Sequence, residues 1–186
     1  MSRAAPDEPR RLRLFVACAL PPAVQQALEE WQHRELGRRD DLRIVAPPHL
    51  TLAFLGDVDA DRVPELEGVL ASVTWSAAEA GFKGPVFLPA RGRRRVVALE
   101  LEDATGSLRD LQAAVSSRLA DAGLYEPETR RWLPHVTVAR FRRPGHPFSL
   151  QNVNIGEFCV VRMVLYSSHL EPTGAVHTPL ADFPAS

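Results

Sequence analysis

The sequence predicts a chain of mixed helices and strands, built as two copies of a strand–helix–strand unit within one domain. Three observations carry this. The stretch Pro48-His49-Leu50-Thr51-Leu52-Ala53 returns as Pro134-His135-Val136-Thr137-Val138-Ala139, with Pro, His, Thr and Ala shared and apolar residues between. Each copy follows an amphipathic segment of helical period, itself preceded by a short apolar run of strand type. The spacings also match: 35 positions separate Leu14 from His49, and 38 separate Val97 from His135, as a duplicated unit requires. A length of 186 residues fits one domain or two small lobes sharing a core. A single domain over 1–186 is expected, with loose ends at 1–11 and 182–186.

Taken in order, Arg13–Leu20 is too short an apolar run for a helix and reads as a strand, ended by Pro21-Pro22. Residues 23–36 place Val24, Leu28 and Trp31 on one helical face, with Pro22 in the first turn and Gly37 as a C-cap. Leu42–Val45 is a short strand, and the first motif strand follows, stopped at Gly56-Asp57. Val63–Val73 is a second helix that tolerates Pro64 in its first turn. Pro85–Pro89 and Val96–Leu101 are strands joined by the basic turn at 91–95. Leu108, Leu111, Val115 and Leu119 mark a third helix closed by Gly123. The second motif strand spans 131–141, and Phe158–Ser168 is one long strand; the tail from 171 is a short strand or loop.

Composition excludes more than it selects. A hydrophobic share of 45% and a charged share of 24% are ordinary for a globular chain. The formal net charge of −1 gives no overall attraction to nucleic acid or anionic membrane. Phosphate binding must therefore rest on local clusters, of which Arg91–Arg95 and Arg130–Arg143 are two. Cys18 and Cys159 sit in apolar runs without metal-ligand spacing and read as buried thiols in a reducing compartment. No secretory leader and no apolar run of about 18 residues is evident. A cytoplasmic monomer without a membrane span is expected.

Strand alternation places His49, Thr51 and Ala53 on one face and Leu50, Leu52 and Phe54 on the other, in the core. His135, Thr137 and Ala139 repeat the arrangement. The small alanines leave room beside each imidazole. A lone histidine in a half-buried strand is ordinarily structural; repetition at identical spacing argues otherwise. Two histidines across one groove suit in-line attack at phosphorus, one taking a proton from water and the other giving one to the leaving oxygen. Hydroxyls and arginine would hold the non-bridging oxygens. Neither motif contains an Asp, Glu or Cys to complete a metal site. A Gly-x-Ser-x-Gly elbow and a P-loop are likewise missing.

With "RLFVACALPP", "HLTLAFLGDV", "LPHVTVARF" and "VLYSSHL" in that order, the chain resembles the 2H phosphoesterases. More closely it resembles the RNA 2′,3′-cyclic phosphodiesterases, also called 2′-5′ RNA ligases, over residues 12–181. The resemblance implies a bilobal α+β fold, with two antiparallel sheets facing a central cleft and helices outside. It implies metal-free, cofactor-free hydrolysis of an RNA 2′,3′-cyclic phosphate end to a 2′-phosphate. In that scheme His49 is the acid, His135 the base, and Thr51 and Thr137 hold phosphate. Arg140 matches an arginine frequent after the second motif, but alternation puts it on the face opposite His135 unless the strand bulges. Arg131 shares His135's parity and is a second candidate for phosphate. A reversible 2′-5′ ligase, another cyclic-phosphate substrate and a non-catalytic RNA-end-binding module are the competing readings.

Overall fold

The computed structural model describes residues 10–171 and 174–186. In chain order its elements are β1 (Arg11–Ala19), α1 (Pro22–Leu36), β2 (Leu42–Ile44), β3 (His49–Asp59), a 3-10 turn (Ala60–Arg62) and α2 (Val63–Ala71). Then come β4 (Ala78–Leu88), β5 (Arg94–Glu102), α3 (Ser107–Asp121), β6 (His135–Gly145), β7 (Phe158–Val160), β8 (Arg162–Glu171) and β9 (Gly174–Pro184). Each strand pairing is antiparallel.

Two separate sheets were expected; hydrogen bonding instead runs through all nine strands, in the order β7-β4-β5-β6-β3-β1-β8-β9 with β2 on β6. The join between the halves is thin. β3 and β6 share one bridged pair, Leu50 with Val136, whereas β1–β3 and β5–β6 pair along most of their lengths. Beyond that pair the strands splay, and β2 takes the vacated edge of β6 at Phe141, Arg140 and Ala139.

The sheet also curls until its ends approach. Phe158–Ser168, read from sequence as one strand, is two. β7 pairs β4 at one end of the order, while β8 pairs β1 and β9 at the other. Only Val161 separates them, so Val160 and Arg162 lie within about 7 Å across two Cα steps. A half-barrel results, and the helices pack on its outer face. Leu28 and Trp31 of α1, Leu66 and Leu70 of α2, and Leu108, Leu111 and Leu119 of α3 join one core with Leu50, Leu52, Val136 and Val138 of the motif strands. No helix among the described residues is long and apolar enough to cross a membrane.

Local chemistry explains where element bounds differ from expectation. β3 runs through Gly56-Asp57 because Gly56 adopts φ +71, which absorbs a bulge at Leu55 and lets pairing resume at Leu14. Gly37 is not a left-handed cap. Its φ is −62, and glycine is needed because a Cβ there would lie 2.4 Å from the His33 carbonyl. The carboxylate of Asp103 accepts the N–H groups of Leu108 and Arg109, each at 3.1 Å, and so caps α3. β4 begins at Ala78, seven residues before the expected strand. Cys159, expected to be buried, is exposed: β7 is an edge strand of three residues and Cys159 takes its outer face. At the expected loose C-terminus, Asp182–Pro184 pair with β8. Ala185 donates to Val161 and Ser186 to Trp75, both at 2.9 Å. Of the expected loose N-terminus, residues 1–9 lie outside the described residues, and Arg11 opens β1.

Candidate active site

The bridged pair Leu50–Val136 sits in the middle of both repeated motifs. Both side chains are fully buried, which holds the register: a slip of one residue would carry them to the other face. Their flanking residues therefore share the opposite face. His49, Thr51, His135 and Thr137 gather around one point of the sheet, and antiparallel geometry sets Thr51 beside His135 and His49 beside Thr137. The first seven residues of β3 and β6 have the same pattern of burial.

Both rings are oriented alike. Nδ1 of His49 lies 3.1 Å from the Pro47 carbonyl, and Nδ1 of His135 lies 2.8 Å from the Leu133 carbonyl. A carbonyl only accepts, so each Nδ1 carries the proton and each Nε2 is left to the cleft. The preceding prolines explain the contact. Pro48 and Pro134 hold the residue before them extended, which turns its carbonyl toward the ring two positions on. The Pro-His pair thus sets the tautomer.

Alternation then breaks at the same place in both motifs. Thr51 faces Ala17 and Ala53 faces Val16, which leaves Leu52 as an extra residue. Thr137 faces Ala98 and Ala139 faces Val97, which leaves Val138 extra. These two bulges correct three expectations. Ala53 and Ala139 turn into the core; the room beside the imidazoles comes from Ala17 and Ala98, the cross-strand neighbours of the threonines. Phe54, expected in the core, is 44% exposed. Arg140 moves to the face of His135, so the bulge that its role requires is present. For Arg131 the parity argument falls away, since β6 begins at His135 and strand alternation does not extend back to it. It lines a groove of about 500 Å3 beside the site, with Lys83, Glu100, Arg109 and Trp132.

Two glutamines that no motif marks support the bulges. Gln32 of α1 is buried and donates to the carbonyls of Val45 and Val138, each at 2.8 Å. Gln112 of α3 donates to the Leu52 carbonyl at 3.4 Å. Each helix thus satisfies the carbonyl of the extra residue in the other half's motif strand.

The surroundings of the two histidines differ. Across its strand pair, His135 faces Glu100, whose carboxylate is held by Lys83 at 2.8 Å. His49 faces Ala19 and packs among rings: Phe15 at 5.0 Å, Tyr166 at 6.1 Å and His177 edge-on at 5.3 Å between centroids. Burial lowers the His49 pKa to about 4, and the charges of His177, Arg140 and His135 act in the same direction against the Pro47 carbonyl. Arg140 is pushed below its ordinary value by desolvation and then by the charge of Arg13. His177, which no sequence motif marks, takes its place by pairing with Ser168 of β8. Trp132 donates to the Thr51 carbonyl at 3.3 Å, and Phe87 packs with Phe141 and Phe148. His169 pairs with Glu171 at 3.1 Å. Among the described residues no three His, Cys, Asp or Glu side chains converge as a metal site would need.

The model of the 2′-5′ RNA ligase superfamily matches residues 20–154. The chain is 27% identical over 184 residues to the RNA 2′,3′-cyclic phosphodiesterase of Methanothermobacter thermautotrophicus, covering 93% of this chain and 98% of that protein. It is 28% identical over 178 residues to the protein of the same name from Escherichia coli, covering 94% and 96%. The crystal structure of E. coli LigT in apo form superposes with a TM-score of 0.80 over 95% of this chain and 98% of that one, at 23% identity.

Proposed function

The chain belongs to the 2′-5′ RNA ligase superfamily, and on that footing we propose that it hydrolyses RNA 2′,3′-cyclic phosphate ends to 2′-phosphates. One observation carries the reading: a single strand pair brings two His-x-Thr motifs to one face, each Nδ1 on a main-chain carbonyl and each Nε2 without a partner among the described residues. The activity named for the archaeal and E. coli relatives supports it.

The cyclic phosphate would lie over Leu50–Val136, its non-bridging oxygens held by the hydroxyls of Thr51 and Thr137 and by Arg140. Neutral His135 takes a proton from water through Nε2 as the water oxygen bonds to phosphorus. The P–O3′ bond breaks on the far side, and protonated His49 gives its Nε2 proton to the departing oxygen. A 3′-hydroxyl and a 2′-phosphate result; solvent then returns one proton and removes the other. Free His49 is neutral at pH 7, given its pKa near 4, and the entering phosphate supplies the opposite charge that draws a proton to it. A ring of lowered pKa is then a strong donor. These roles need no metal.

The test is incubation with a short RNA bearing a 2′,3′-cyclic phosphate, in excess EDTA, followed by phosphorus NMR. A 2′-phosphate is expected, and His49→Ala or His135→Ala lowers turnover about 10²–10⁴-fold each. An unchanged cyclic phosphate with folded protein, or near-normal turnover in both variants, would overturn the reading. The matching registers and bulges also support reading the halves as copies of one strand–helix–strand unit, facing each other across the cleft.

A further inference from the structure

Beyond the histidines the cleft carries positive charge without matching carboxylates. Arg43 of β2 faces Arg140 across the β2–β6 pair, and directly opposed residues share a face. Arg13 of β1 acts on Arg140 as a like charge. Its guanidinium turns from its cross-strand neighbour Asp57 to lie 4.7 Å over the ring of Phe54. Arg13, Arg43 and Arg140 have no carboxylate within 4.0 Å among the described residues, although arginine forms seven of the nine described ion pairs.

The grouping is built by the fold. The two bulges bring Arg140 and Phe54 to equivalent places on the cleft face. Gly174, which opens β9, comes close to Arg43, whose Cδ lies 3.5 Å from where a Cβ on Gly174 would sit. Like charges held this close repel one another, and an anion between them relieves the repulsion. With Val138 taken up by the bulge, Thr137 and Arg140 face Ala98 and Val96, two steps or about 7 Å along the strand, whereas Arg13 lies four residues, about 13 Å, from Ala17, the cross-strand neighbour of Thr51. Arg140 therefore borders the cyclic phosphate, and the cluster continues beyond it along β1 to Arg13. Guanidinium groups suit phosphate oxygens by their fork of donors.

We infer that Arg13 and Arg43, beside Arg140, form a second phosphate subsite, which takes the phosphodiester on the 5′ side of the terminal nucleotide. The inference rests on the proposed reaction and narrows its substrate. An oligonucleotide end is preferred to a mononucleotide 2′,3′-cyclic phosphate, which has no such phosphodiester.

The test compares cytidine 2′,3′-cyclic phosphate with the dinucleotide carrying the same end and one internal phosphodiester. Both kcat/KM and the Kd for each would be measured, the latter on His135→Ala protein. For the parent chain kcat/KM is expected to favour the dinucleotide about tenfold or more, as one charge-assisted phosphate contact provides. In Arg13→Gln/Arg43→Gln protein that ratio falls toward about 1, while Arg43→Lys alone keeps most of it. Equal kcat/KM for the two ligands in the parent chain, with equal Kd in the His135→Ala protein, would overturn the subsite. So would a double variant that lowers both ligands alike. Absence of turnover with a dinucleotide binding advantage that the double variant loses would overturn the reaction and uphold the subsite.

Discussion

The ring of His49 shows how one residue links site and stability. Its pKa is lowered from the ordinary 6.5 to about 4, with burial the largest cause. The unfolded chain therefore binds a proton below pH 6.5 that the folded chain refuses until about pH 4. Stability contributed by the neutral ring is whole above pH 6.5 and is lost as pH falls through 4. The loss is at most about 3 kcal/mol, and less because the ring is partly exposed. Urea midpoints should fall between pH 6.5 and 4 in the parent protein. In His49→Asn, whose amide can still donate to the Pro47 carbonyl, the slope should flatten over this window. An unchanged slope would locate the acid sensitivity elsewhere. Both histidines and both threonines were legible in the sequence because repetition is visible without structure. His177 was not: its nearness to His49 depends on a hairpin register that no local pattern records.

Elements fail to follow sequence where one extra residue enters a strand. Alternation assigned His49, Thr51, His135 and Thr137 to the right face, then misassigned Ala53, Phe54, Ala139 and Arg140, because the bulges at Leu52 and Val138 reverse the faces. Neither residue is a glycine or proline that would flag a bulge. The structural counterpart is Gln32, whose amide holds the Val138 carbonyl and the Val45 carbonyl together. Gln32→Leu fills similar space but leaves both carbonyls without that donor. It should cost about 1–3 kcal/mol and lower kcat/KM by loosening Arg140. Gln112→Leu, whose bond is longer and less buried, should cost less. Chemical denaturation and steady-state kinetics on both variants check this. Equal stability losses, or a Gln32 variant with intact kcat/KM, would count against the bulge as the positioning device.

For the whole molecule, the element types were largely readable in advance, but the closure of the sheet was not. The apolar run Phe158–Ser168 contains nothing that marks Val161 as a corner, since valine suits strand as well as break. The corner exists because β7 and β8 are claimed by partners at opposite ends of the sheet, β4 and β1. The C-terminus then secures the closed shape. Phe183 pairs with Met163, Ala185 donates to Val161, and Ser186 donates to the Trp75 carbonyl beyond α2. A tail that only follows the fold could be removed at no cost. One that ties the two ends of a curled sheet could not. Deleting residues 182–186 removes three strand pairs and two bonds across the seam. About 2–3 kcal/mol should be lost, a fall in Tm of about 5–10 °C for a chain of this size. The cleft histidines lie outside the deleted segment, so kcat/KM measured well below the new Tm should hold. If Tm stays within a degree of the parent value, the seam is held by the core alone, through Val160 and Met163.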